Sequence, residues 1–277
     1  MSENVEATIF RVYVPHIPKP ENNFKSESEE SEEKEDCILS FATEHYDEYG
    51  KGNGVFKQTW ETDSQSIEWV KNIKKDYADT RVVISIGGFS SEFPFNPIEK
   101  NVWIDNAVKS INQIIDLYGT PKNIIDGIDI HYEAIYSSED DFSFCIGKVI
   151  RQLKQLSSIK LVSIAPSKPL QPYYHKLYLD NKDIIDYVDY GFSKQSFSTK
   201  EKVVELYKEL AHNYAPALVL PEINIYCDPV LSDGIGELFD LELLPGIVFW
   251  GFPISSKAPK TFSLQKFLLN LRSNTTS

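Results

Sequence analysis

The chain has 277 residues, with 28 basic against 41 acidic side chains and a formal net charge of −13. That balance opposes nonspecific binding to nucleic acid or to an anionic membrane, and it excludes both as expected partners. A hydrophobic content of 42% and an aromatic content of 13% exclude a disordered chain. No run approaches about 18 apolar residues, and the opening residues lack the basic, apolar and small-residue order of a secretory signal. A cytoplasmic monomer is therefore expected, or else a mature form from which a targeting segment has been removed. Cys37, Cys145 and Cys227 are too scattered for a disulfide framework or a metal knuckle and read as buried thiols.

The first apolar stretch, Ile9 to Val14, alternates around Arg11 and Tyr13 and ends in Pro15-His16-Ile17-Pro18, which predicts a short strand and a turn. Ser26 to Asp36 reads SESEESEEKED, seven acids against one lysine, and like charges so close predict an exposed insertion at about residues 20–36. Seven further strands are expected: Ile38 to Ala42, Arg81 to Ile86, Ile125 to Tyr132, Lys160 to Ala165, Tyr187 to Phe192, Leu218 to Ile225 and Gly246 to Trp250. Pro221 leaves the limits of the seventh strand open. Helical spacing marks Ser66 to Tyr77 and Val102 to Tyr118; Phe142 to Leu156, Tyr173 to Asp180, Glu201 to Ala211, Ile235 to Leu243 and Leu264 to Leu271 can serve the same role.

Eight such units at about 35 residues each suit a single (β/α)8 barrel over residues 1–277, an α/β fold in which closure buries both faces of a parallel sheet. A doubly wound open sheet is the competing arrangement. It leaves two edges exposed and requires a glycine-rich dinucleotide turn that the sequence lacks.

The densest chemical signal is Asp126-Gly127-Ile128-Asp129-Ile130-His131-Tyr132-Glu133. Strand periodicity puts Asp129, His131 and Glu133 on one face, and polar side chains at the C-terminal end of a barrel strand point toward a reaction site. A buried ion and hydrogen-bond cluster without chemistry is the equal alternative. Pairing of His131 with Glu133 or Asp129 would stabilise the charged imidazole and favour that structural cluster. Alternate strand residues diverge too far for zinc ligation and no second histidine is nearby, so neither metal nor cofactor is expected. Arg81 to Phe89, RVVISIGGF, ends in Gly87 and Gly88, which either admit a ligand close to the backbone or simply make a turn.

Ser85-Ile86-Gly87-Gly88 together with DGIDIHYE at 126–133 resembles the glycoside hydrolase family 18 barrel, and Trp250 at the end of GIVFW supports the likeness from the last strand. Within that family, Tyr49-Gly50-Lys51-Gly52, Val82 to Gly88, Asn101-Val102-Trp103, Ile125 to Glu133, Val162 to Pro166 and Val188-Asp189-Tyr190 are similar, in order, to the non-catalytic legume-seed branch. The resemblance implies a DxxDxDxE site. Its final glutamate protonates the leaving oxygen, the substrate's own acetamido oxygen attacks, and the third aspartate orients that group and stabilises the positive intermediate. Asp126, Asp129 and Glu133 match the pattern, whereas His131 holds the third aspartate position and brings no permanent negative charge at neutral pH.

Active plant members also place a tyrosine near the end of the sixth strand. Here only Gly191 or Ser193 faces inward, and Tyr190 should face the other side. Trp250, Gly87, Gly88 and Tyr190 are the candidate sugar contacts, with barrel packing the equal alternative for Trp250. The resemblance implies a chitinase-related protein without efficient hydrolysis, a seed or vegetative storage globulin, or a binder of chitooligosaccharides. The competing class is a weakly active retaining glycosidase with Glu133 as its acid. Cysteine and methionine total four residues, which argues against sulfur storage.

Overall fold

The computed structural model describes residues 9–17, 34–76, 79–119, 124–157, 159–224 and 228–250. Eight parallel strands are joined edge to edge: β1 (Ile9–Val14), β2 (Lys34–Tyr46), β4 (Arg81–Gly88), β5 (Ile125–Tyr132), β6 (Leu161–Ile164), β7 (Tyr187–Gly191), β8 (Leu218–Asn224) and β9 (Gly246–Trp250). Because β9 returns to pair with β1, and β1 with β2, the ring closes without a free edge and the open-sheet alternative is set aside. A further strand, β3 (Gly52–Gln58), runs antiparallel to the outer end of β2. Six α-helices are described outside the ring: α1 (Ser64–Asp76), α2 (Lys100–Asp116), α3 (Glu139–Leu156), α4 (Gln171–Asn181), α5 (Lys200–Asn213) and α6 (Pro229–Asp240). The expected helix at 264–271 and Cys227 lie outside the described residues.

The period of two along each strand separates two apolar regions. On β1, Ile9 and Tyr13 point into the ring with Ile38, Val83, Leu220 and Val248, while Phe10 and Val14 join the larger core between sheet and helices. Local chemistry sets the helix starts. Asp63 Oδ1 accepts the N–H groups of Gln65 and Ser66 at 2.9 Å, so α1 begins two residues before the periodic pattern does. Asp228 accepts from Leu231 N ahead of Pro229 in the first turn, so α6 occupies 229–240 instead of the expected 235–243. At α3, Ser138 is the cap, and Glu139, Asp140 and Asp141 complement the helix dipole in the first turn.

The structure adds one strand, corrects one expectation and sets the strand limits that Pro221 left open. β3 had no sequence signal, because its inward residues are Gly52, Gly54 and Phe56 and two glycines erase the apolar alternation. The acidic run does not stay exposed to residue 36: β2 starts at Lys34, and Asp36 is a buried carboxylate paired with Arg11 at 3.1 Å and with Arg81 at 2.6 Å. Composition had grouped Asp36 with its acidic neighbours, but strand register places it directly opposite Arg11 and Arg81. Pro221 does not end its strand, since the β8–β9 ladder begins at Glu222, one residue beyond the missing N–H.

Candidate active site

The inward residues of neighbouring strands stack a polar column inside the apolar ring. Parallel register sets Ser85 of β4, Asp129 of β5 and Ser163 of β6 side by side. Asp129 is fully buried and accepts three hydroxyl hydrogens, from Ser85 at 2.7 Å, Ser163 at 2.7 Å and Tyr13 at 3.0 Å. Beneath it the buried Arg11 guanidinium donates to Ser163 at 3.0 Å and pairs with Asp189 at 3.0 Å. Burial alone would weaken the Arg11 cation, but the fields of Asp189, Asp36 and Asp129 raise it instead. Desolvation pushes Asp189 up even against the Arg11 charge.

The column continues upward through His131. Its Nδ1 lies 3.1 Å from Tyr13 Oη and its Nε2 lies 3.1 Å from Lys194 Nζ. An ammonium has only hydrogens to give, so Nε2 must accept and Nδ1 must carry the ring proton. Tyr13 spends its own hydrogen on Asp129 and accepts from Nδ1. These contacts fix one tautomer of His131, and the pairing with Glu133 or Asp129 weighed from the sequence is replaced by hydrogen bonds to Tyr13 and Lys194. The Glu133 Oε1 contact, at 3.6 Å from Nε2, is too long for a hydrogen bond.

Lys194 is the residue that sequence reasoning missed. It ends a single 3₁₀ turn, Phe192–Lys194, directly after β7. Its ammonium lies 2.8 Å from Glu133 Oε1, 3.3 Å from Glu222 Oε2 and 3.1 Å from His131 Nε2. Its stem crosses Gly191, where an added Cβ would come within 2.9 Å of the lysine Cδ. The available signal was a strand whose last inward position is glycine, followed three residues on by a side chain long enough to fill the space. Burial opposes the charge on Lys194, but Glu222 and Glu133 more than offset that and raise its pKa. Partial burial likewise pushes Glu133 up, but the Lys194 ammonium at 2.8 Å outweighs it and holds the carboxyl below its ordinary range. Ser193 donates to Glu222 Oε1 at 3.2 Å.

An aromatic wall stands beside this cluster. The Trp250 ring lies 4.9 Å from Tyr13, 5.6 Å from Phe41, 5.9 Å from His131 and 6.2 Å from Phe89. Phe89 is 57% exposed, so the wall runs from the ring interior to solvent. Asp129, His131, Glu133 and Trp250 are therefore gathered at one end of the barrel.

The other candidates are not part of that group. Asp126 sits at the opposite end of β5, where it pairs with Lys74 at 2.7 Å and accepts from Val82 N at 2.8 Å. Two residues of strand lie between Asp126 and Asp129, an odd step that turns Asp126 to the helix side. Tyr190 packs against Phe192 in the outer core, 5.5 Å between rings. Gly87 has φ +119°, and a Cβ there would lie 2.2 Å from the His131 carbonyl; Gly88 backs onto Phe93. Both glycines serve close packing of the chain against itself. Among the described residues, no group of three or more His, Cys, Asp and Glu side chains is placed to hold a metal ion, and no helix is long and apolar enough to cross a membrane.

Residues 22–193 match the family model described as "Glycosyl hydrolases family 18", which is more than half of the chain. "Chitinase 1" of Tulipa saxatilis subsp. bakeri is 33% identical over 174 residues, 61% of this chain and 54% of that protein. The "RuBisCO-associated protein" of Glycine max is 31% identical over 189 residues, 64% of this chain and 65% of that protein. The matched segment thus spans between about half and two thirds of these relatives. The catalytic domain of a family 18 chitinase from the fern Peteris ryukyuensis superposes with a TM-score of 0.76 at 26% identity, over 96% of this chain and 99% of that one.

Proposed function

We propose, on the premise that this chain belongs to glycosyl hydrolases family 18, that it is a chitinase-related plant protein of the narbonin type whose cleft does not carry out efficient hydrolysis. The observation that carries this reading is the Lys194 ammonium 2.8 Å from Glu133. A glycosidase acid must hold a proton at the start of the reaction, which normally requires a raised carboxyl pKa. Glu133 is shifted the opposite way by its neighbours. General acid catalysis contributes about 10² to 10⁴ in rate. A neutral His131 in the third aspartate position removes, in addition, a charge that would stabilise a cationic intermediate. Accumulation as a seed or vegetative nitrogen store fits such a protein.

Hydrolysis of a fluorogenic chitobioside by the full chain tests the reading. Turnover indistinguishable between the wild type and Glu133→Gln is expected; robust turnover that disappears in Glu133→Gln overturns it. A second reading, binding of N-acetylglucosamine oligomers without turnover, is favoured by the Trp250 and Phe89 wall, since aromatic faces pack against the C–H faces of pyranoses. Calorimetry with those oligomers distinguishes it from storage alone.

A further inference from the structure

The charges around Lys194 do not balance. Glu133 and Glu222 share one ammonium, and the third neighbour, His131, is neutral because its Nε2 accepts from that same ammonium. The three ionised groups therefore sum to one negative charge. Glu222 is only 1% exposed, and its Oε2, aimed at the cluster, meets the Lys194 ammonium at 3.3 Å without a well-aligned hydrogen bond, while Ser193 serves Oε1. The carboxylate directly below, Asp129, receives hydroxyl hydrogens alone and brings no spare cation upward. The contacts to Glu133 fall on Oε1, and its side chain is 28% exposed, so this residue is open to a ligand from solvent. Beside this excess charge stands the Trp250 and Phe89 wall.

A ligand that completes this arrangement carries one positive charge next to an apolar ring face. An N-acetylated sugar has the ring face but a neutral acetamide. A sugar with a free 2-amino group, protonated, has both. Resting on the reading of this cleft as a family 18 sugar site, the geometry points to selection of glucosamine units with a free ammonium over N-acetylglucosamine units. The ammonium is held at Glu133 on the cleft side of Glu222, and the pyranose lies on Trp250. Lys194 stays in place as the permanent half of the counter-charge. Charge-assisted hydrogen bonds to carboxylate are among the stronger polar contacts available to such a ligand, and an aromatic wall at the same spot favours a cation further.

The test is a calorimetric titration of the full chain at mildly acidic pH with the glucosamine trimer and, separately, the N-acetylglucosamine trimer. Binding of the free-amine trimer at least about tenfold tighter is expected, with that preference lost in Glu133→Gln and binding of both trimers lost in Trp250→Ala. A chain of net charge −13 attracts cationic oligomers to its whole surface, and these variants leave that attraction almost unchanged. Free-amine binding that survives both substitutions is therefore surface attraction and overturns the proposal. Equal or tighter binding of the acetylated trimer also overturns it while leaving the sugar-site reading intact. Binding of neither trimer ends both the selectivity and the sugar-site reading, but not the proposal of impaired hydrolysis.

Discussion

Replacing Lys194 with methionine keeps an unbranched stem across Gly191 and removes only the ammonium. Two carboxylates then lose their shared cation: Glu222, 1% exposed, and Glu133, with 28% of its side chain exposed. Breaking a buried ion pair from one side costs about 3–5 kcal/mol. With 27% of the lysine side chain in contact with solvent, about 3 kcal/mol is expected. Glu133 has a lowered pKa in the fold, so its contribution exists above the ordinary carboxylate range and is lost as pH falls through the folded value. Lys194 has a raised pKa, so its contribution exists below the ordinary lysine range and is lost as pH rises through the folded value. The penalty of Lys194→Met should accordingly form a plateau at neutral pH and shrink toward acid. Urea unfolding of the wild type, Lys194→Met, Glu222→Gln and the double variant measures it, with a coupling energy of about 1–3 kcal/mol between the two sites. A neutral-pH penalty below about 1 kcal/mol, with no change on acidification, would mean that Lys194 is an ordinary surface cation and would refute the account of Glu133.

Other substitutions probe separate parts of the barrel. Glu44 is buried where Gly54 N and Trp103 Nε1 each donate to Oε1 at 2.7 Å, and Oε2 has no partner. Desolvation pushes its pKa from 4.5 up to about 7 despite those donors. The folded state thus holds a proton that the unfolded chain loses between those values, and the residue costs stability increasingly as pH rises through that window. Glu44→Gln should stabilise by up to about 3 kcal/mol above the window and bring no gain below it; thermal melts at both ends check the sign, and an equal effect at both would contradict it. Gly87→Ala puts a Cβ 2.2 Å from the His131 carbonyl at a φ of +119°. A loss of about 3 kcal/mol or more is expected, read as a drop in the urea midpoint; a neutral result would place β4 farther from β5 than shown. In the chitobioside assay Glu133→Gln should match the wild type.

Much of the barrel was legible because each strand carries its own alternation. Ile9, Arg11 and Tyr13 on β1, and Asp129 and His131 on β5, go inward by the period of two. Contacts across strands were not legible, because they depend on register. Asp36 looked like the end of an acidic run until pairing set it against Arg11 and Arg81. Asp126 looked like part of the motif until the odd step turned it toward Lys74. Lys194 was hidden for a different reason: it lies in a turn, where no periodicity gives direction, and its meaning comes from reach over Gly191 to Glu133 and Glu222.

The column of hydrogen bonds from Lys194 through His131 and Tyr13 to Asp129 has a pure donor at one end and a pure acceptor at the other. Its polarity is therefore set at both ends, and the two middle members have a single arrangement. That makes positions 131 and 194 epistatic. Returning an aspartate at 131 while Lys194 remains would set a third carboxylate around one ammonium and leave Tyr13 with one hydrogen for two competing acceptors. The new carboxylate would be committed to the lysine before any ligand arrived. His131 and Lys194 thus act as one structural unit, and exchanging either alone should be less tolerated than exchanging both.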